Sequence, residues 1–355
     1  MDVETKFRDR DAPVTREGII FRVYGYDHPP NSCICDVEYA PESIYRSNLK
    51  KAIREGRKGR YYKFYFDEGL KFIKRNFPNY QVYHEPLGRK LIGLRLDQIA
   101  ELRRPDAKLR EVFNSGVEDI LINSLRDVLS QIFEISSLKL SDFGVFGSIL
   151  HDFYHPRFSD LDLIIYGRRK LRELTEVLKD LYRERGLRNE FEDLKNIKLK
   201  AYFKNYSLKE YIWHQGRKMI YGVYEPKGIN RKIKVEFEPV RAYHEIRNEY
   251  YWTEEIKQIG WATAIIRVLD SSDSFFMPAI YQVEVERIDR EFRDLDIRRV
   301  VSFVEEFRGQ LFEDEIGLVK GRIEKVSFGR EEFHQITLSY GDRYFDQVLK
   351  ICRGS

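Results

Sequence analysis

Apolar residues at Val117, Ile120, Leu121, Leu125, Val128, Leu129 and Ile132 recur at helical spacing, which predicts a long amphipathic helix. The apolar run "DFGVFGS" follows as a short strand ending in Gly-Ser, and after a loop "DLDLIIYG" forms a second strand. Leu171, Leu174, Leu178 and Leu181 mark another amphipathic helix. "KMIYGVYEP" and "RKIKVEFEPV", separated by a Lys-Gly-Ile-Asn turn, then form a hairpin. Helix, strand, strand, helix and hairpin predict an α/β core, an α+β mixed sheet with helices packed on it.

Upstream, "GIIFRVYGY" and "YYKFYF" predict strands among short helical patterns, with the turn signal "HPPNS" after the first. Downstream of Trp252, "GWATAIIRVL", "PAIYQVEVERI", "RRVVSFVEEF", "EIGLVKGRIEKVSF" and "FHQITLSYG" are strand-like at close intervals, as in a small barrel or sandwich. A proline after a charged pair, Arg103-Arg104-Pro105, marks the first boundary. The expected organisation is an N-terminal α+β region over 1–104, the core over 105–250 and a C-terminal, mostly-β, barrel-like domain over 251–355.

Composition narrows the partners only a little. In 355 residues, 62 basic side chains nearly cancel 58 acidic ones, and the formal charge of +4 permits an acidic ligand without demanding one. Any basic surface must be local. Three cysteines, Cys33, Cys35 and Cys352, cannot build a disulfide framework, and Cys33-x-Cys35 lacks the spacing and second ligand pair of a zinc site. No run approaches the length of a transmembrane helix, and Met1 to Arg16 are charged, without the apolar core of a signal peptide. The expected setting is a reducing cytoplasm.

The chemistry concentrates in Gly147-Ser148, eleven intervening residues, then Asp160-Leu161-Asp162. A strand that ends in Gly-Ser and turns into a helix lets backbone N–H groups approach a phosphate. Asp160 and Asp162, two apart on a strand, project from one face, while Leu161, Leu163 and Ile165 point to the core. Two carboxylates on an exposed sheet face repel each other unless a divalent cation neutralises them. Magnesium suits such oxygen ligands combined with substrate phosphate. A third carboxylate is expected from "IKVEFEPV", where Glu236 and Glu238 share a face; Glu236 is preferred because Glu238 abuts Pro239 at the strand end.

"FGVFGSILHDFYHPRFSDLDLIIYG" resembles the signature of the polymerase-β nucleotidyltransferase superfamily. The placement of "IKVEFEPV" is similar to the third-carboxylate strand of archaeal CCA-adding enzymes, with Glu236 where that family usually has Asp. The whole chain resembles an uncharacterised archaeal family carrying this nucleotidyltransferase domain. The resemblance implies a nucleotidyltransferase core and transfer of a nucleoside monophosphate from an NTP to an acceptor hydroxyl, with RNA as a candidate acceptor and pyrophosphate released. It implies two Mg²⁺ (or Mn²⁺) ions on Asp160, Asp162 and Glu236, and nucleotide binding at Gly147, Ser148 and Ser159. A catalytically silent nucleic-acid-binding protein and nucleotidylation of a protein or small molecule are the alternatives.

Other residues admit two readings. His151 and His155 have the spacing of helical zinc ligands, but Pro156 follows and no third ligand is near. Arg157 could touch phosphate or pair with Asp152. The stretch from Lys50 to Phe66 could bind RNA through Arg57, Lys58, Arg60 and Tyr61 or Tyr62, or be a solvated loop entering an ordinary strand. The C-terminal strands could form an oligonucleotide-binding barrel or a packing module.

Overall fold

The computed structural model describes residues 6–56, 59–65, 67–184, 186–192, 205–341 and 343–352. Two compact units emerge. One comprises Met1–His84, Lys90–Glu190 and Met219–Asn248, the other Glu85–Arg89, Phe191–Lys218 and Glu249–Ser355. The first unit thus takes in both the N-terminal region and most of the expected core.

The N-terminal part of this unit is built on β1 (Ala12–Thr15), β2 (Ile20–Val23), β3 (Ser32–Pro41), β4 (Ile53–Gly56), β5 (Gly59–Lys63), β6 (Gln81–His84), β7 (Arg89–Arg95) and β8 (Ile99–Arg103). They pair in the order β4-β5-β3-β2-β1-β8, with β7 added to β3 and β6 to β7. Helix α1 (Glu68–Asn76) lies against β3, burying Phe72 and Ile73.

The core follows as α2 (Pro105–Phe113), α3 (Ile120–Glu134), β9 (Phe143–Val145), α4 (Gly147–Leu150), β10 (Leu161–Tyr166), α5 (Arg168–Glu184), β11 (Arg188–Asn189), β12 (Tyr221–Tyr224) and β13 (Ile233–Val240). The sheet order is β11-β12-β13-β10-β9, so β10 is flanked on both sides: parallel by β13, antiparallel by β9. The long helix begins later than its apolar spacing suggests. Asp119 accepts hydrogen bonds from the N–H groups of Leu121 and Ile122, both at 2.9 Å, and so caps α3 after Val117. Leu121, Leu125, Val128, Leu129 and Ile132 are then fully buried, as are Leu174 and Leu178 of α5.

The second unit is a closed barrel. Its strands are β14 (Thr253–Asp273), β15 (Ala279–Ile288), β16 (Ile297–Ser302), β17 (Ile316–Phe328), β18 (Glu331–Leu338) and β19 (Val348–Ile351). They run β14-β15-β16-β18-β17-β19, and β17 also pairs β14, which closes the ring. Only the β16–β18 pairing is parallel. Helix α6 (Leu208–Gly216), inside the bounds expected for the core domain, belongs with this barrel instead. Just ahead of it, buried Tyr206 donates its hydroxyl proton to the Leu349 carbonyl (2.6 Å) and accepts from the Leu349 N–H (3.0 Å). Among the described residues, no helix is long and apolar enough to cross a membrane.

Replacing Asp119 with Ala should lower the stability of the first unit by about 1 kcal/mol, since two N–H groups lose their cap. Urea denaturation should show that loss, and Asp119→Asn should restore most of it.

Candidate functional site

Parallel pairing of β10 with β13 sets Asp162 directly opposite Glu236, and Ile164 opposite Glu238. Leu161, Leu163, Ile165, Val235 and Phe237 occupy the other face and are buried. The acidic face is half-covered rather than open as expected. Asp160 is exposed, one residue before β10, but Asp162 is half-buried and Glu238 only 1% exposed. The cover comes from the N-terminal residues. Arg10, 3% exposed, donates from Nε to Glu238 Oε1 at 3.1 Å and binds the same oxygen through its terminal nitrogen. Arg8 lies over the Tyr166 ring, 4.0 Å from its centre. Arg10 holds a positive φ of 72°, a strained conformation for a side-chain-bearing residue.

Gly147 meets Asp162 from the other side. With φ at +60°, a Cβ on Gly147 would be driven into the Asp162 carboxylate oxygen. The adjoining Phe146 N–H donates to the Asp162 carbonyl at 3.0 Å. Glycine is required here by both backbone conformation and close approach. Ser148, the second residue of α4, is half-buried, and its hydroxyl bonds to none of the described residues.

Burial is the main reason the Asp162 carboxyl is pushed up to about 7; Lys63 opposes the shift, whereas Asp160, Glu238 and Glu38 add to it. Burial alone would raise the Glu38 carboxyl of β3, but nearby His151, Arg22 and Lys63 outweigh it and draw the group below the usual range, to about 2. The Lys234 N–H, its side chain and Arg231 face the Asp160 carboxylate.

Over 353 residues the chain is 28% identical to the Uncharacterized protein MJ1086 of Methanocaldococcus jannaschii, a match spanning 98% of this chain and 100% of that one. No family model matches the chain. No solved structure matches it significantly.

The carboxylates around Asp162 are the oxygen donors that a hard divalent cation takes, and Lys63 supplies a positive charge beside them. The carboxylates are nevertheless not drawn into a closed ligand set: among the described residues, no three His, Cys, Asp or Glu side chains converge as a metal-binding group. Backbone register brings Asp162 and Glu236 together, and Asp160 lies two residues before Asp162 in sequence.

The remaining candidates have local partners. Ser159 Oγ accepts from the His155 N–H at 2.9 Å, and its carbonyl accepts from Arg231 at 2.5 Å, so Ser159 fastens the loop ahead of Asp160. His151 and His155 do not share a helix, since α4 ends at Leu150. His151 is buried between Arg103 (3.1 Å) and Glu38 (3.9 Å), while His155 is exposed. Asp152 pairs with Lys108 at 2.8 Å, not with Arg157. Arg60 is engaged by Glu55 and Glu42, and Tyr61 and Tyr62 are buried. Arg57, Lys58 and Phe66 lie outside the described residues. Cys33 and Cys35 are buried thiols of β3 with sulfurs 3.3 Å apart.

Sequence spacing could not find Lys63, Glu38 or Arg10, because each comes from a strand or turn far from Asp162 along the chain. The alternation in "YYKFYF" was the one available signal, with a lysine set among residues of a buried strand.

Two substitutions test this electrostatic picture. Gly147→Ala should cost about 1–3 kcal/mol through strain and collision with Asp162. The Asp162 carboxyl titrates near 7 in the fold against 3.8 when free, so folded protein binds the extra proton and stability falls as pH rises through that window. Asp162→Asn should therefore stabilise the metal-free chain at pH 8 by roughly 1–3 kcal/mol. The advantage should shrink toward pH 5, as thermal melts at both pH values would record.

Proposed function

We propose that the chain is a metal-dependent nucleotidyltransferase of the polymerase-β type, moving a nucleoside monophosphate from an NTP to an acceptor hydroxyl of RNA with release of pyrophosphate. The observation that supports this most is the Gly147 backbone folded onto Asp162, with Glu236 opposite on the adjacent parallel strand. A glycine-serine turn meeting the second acid of an Asp-Leu-Asp segment has a plain use in holding a triphosphate beside carboxylate-bound cations. The 28% identity to an archaeal protein along the full length agrees with the archaeal kinship of the sequence and adds no activity.

Asp160, Asp162 and Glu236 are the residues to hold Mg²⁺ or Mn²⁺. Glu238 is taken up by Arg10, which favours Glu236 as the third acid. When bound, the cations supply neutralisation of phosphate charge and a lowered pKa at the attacking hydroxyl. The chain's own contribution is positional. Gly147 permits close approach, Ser148 offers a hydroxyl with no described protein partner, and β10 and β13 hold the carboxylates in register. One observation favours the second reading, a catalytically silent nucleic-acid-binding protein: the three carboxylates are not gathered into a ligand set among the described residues.

Incubation of the full chain with Mg²⁺ or Mn²⁺, each labelled NTP and total RNA should yield labelled RNA and pyrophosphate. The double variant Asp160→Ala with Asp162→Ala should lose about a hundredfold or more of that activity. Equal turnover by the double variant excludes the site. RNA binding that is sensitive to salt, without pyrophosphate release, favours the silent reading.

A further inference from the structure

The core supplies the carboxylates of this site, with Lys234 and Arg231 facing Asp160, and the N-terminal sheet adds a cation of its own. Lys63 closes β5, where its backbone pairs with Tyr39 of β3. The Tyr39 ring lies 5.3 Å from the His151 ring and 5.4 Å from the Phe153 ring, both in the segment that follows α4. Tyr61, two residues before Lys63, packs on Phe153 at 4.8 Å. Gly56 of β4 sits so close to the Asp152 carbonyl and Phe153 that a Cβ would come within 2.7 Å of each. The β4–β5 hairpin is therefore seated on the segment leaving Gly147-Ser148, and its last residue is a lysine.

That lysine is unusually placed. It is half-buried, its ammonium lies 5.8 Å from the centre of the Tyr39 ring, and it makes no hydrogen bond or ion pair with any described residue. A cation withdrawn from water normally takes a direct carboxylate partner. Neighbouring Arg22 does so, with Asp36 and Glu38 at 3.7 Å. Arg54, on β4, gives its terminal nitrogen to the carbonyls of Lys51 and Ile53. Among the described residues Lys63 alone in this group keeps its three donors, and Tyr39, first, and Glu38 hold its ammonium above the usual lysine range against burial.

We propose that Lys63 is the substrate-side cation of the site, binding the phosphate oxygens of a cation-complexed polyphosphate, first as the triphosphate of the NTP and then as the pyrophosphate released. A compact ammonium with free donors suits phosphate as a point charge. Carboxylates that hold divalent ions leave the outer phosphate oxygens negative, and the Lys63 side chain is the cation at hand to meet them. This inference rests on the nucleotidyltransferase reading.

Calorimetric titration of the full chain with inorganic tripolyphosphate in excess Mg²⁺ is the test, because it needs no acceptor and no choice of base. The expected result is binding by the parent chain, at least tenfold weaker binding by Lys63→Met, and near-parental binding by Lys63→Arg. Parental binding with an undiminished Lys63→Met variant overturns the role of Lys63 and leaves the nucleotidyltransferase reading standing. Absence of binding by the parent chain overturns both. Should Lys63→Met fail to fold, acetylation of the parent chain followed by mass spectrometry gives the answer. Tripolyphosphate should slow modification of Lys63 but not of Lys179, exposed on α5; equal modification of Lys63 with and without it overturns the proposal.

Discussion

Negative charge withdrawn from water on two neighbouring strands is the constraint around which the first unit is arranged. Asp162 on β10 and Glu236 and Glu238 on β13 share a sheet face because the strands run parallel in this register. Carboxylates so placed either lose their charge or acquire compensation. The chain does both. Arg10 pairs with Glu238, whereas Asp162 is left with a carboxyl that burial pushes up to about 7. A fold selected only for stability would place an apolar side chain there, as it does at Ile164 two residues on. Perturbed carboxyls of this kind cluster at functional sites.

The N-terminal sheet thereby acquires a purpose beyond packing. The turn ahead of β1 brings Arg8 over Tyr166 and Arg10 onto Glu238, and β3 and β5 bring Glu38 and Lys63 near Asp162. These residues lie far from Asp162 in sequence but in the same compact unit. The strained backbone of Arg10 and the side-chain-free position at Gly56 are local costs of seating the N-terminal segments on the core.

The barrel is organised on different terms. Its ring is closed by the long pairing of β14 with β17, which leaves no open edge there, and its interior is filled by residues such as Ala262, Ile266, Val300, Ile323 and Ile336. Helix α6 is recruited to it by the paired hydrogen bonds of Tyr206 with Leu349.

The sequence by itself determined the elements of the core and their polarity. Period-2 alternation in "DLDLIIYG" and "IKVEFEPV" told which residues point inward, since a strand's side chains alternate whatever packs on them. The position of Gly147-Ser148 before a helix was equally legible, being local in the chain. The start of α3 at Ile120 was not, because apolar spacing does not register the Asp119 cap. Only the tertiary structure decided which acid is neutralised, which lysine faces the cluster, and that α6 joins the barrel. Those outcomes depend on contacts between segments remote in sequence, where burial and charge act through space and leave no periodic trace along the chain.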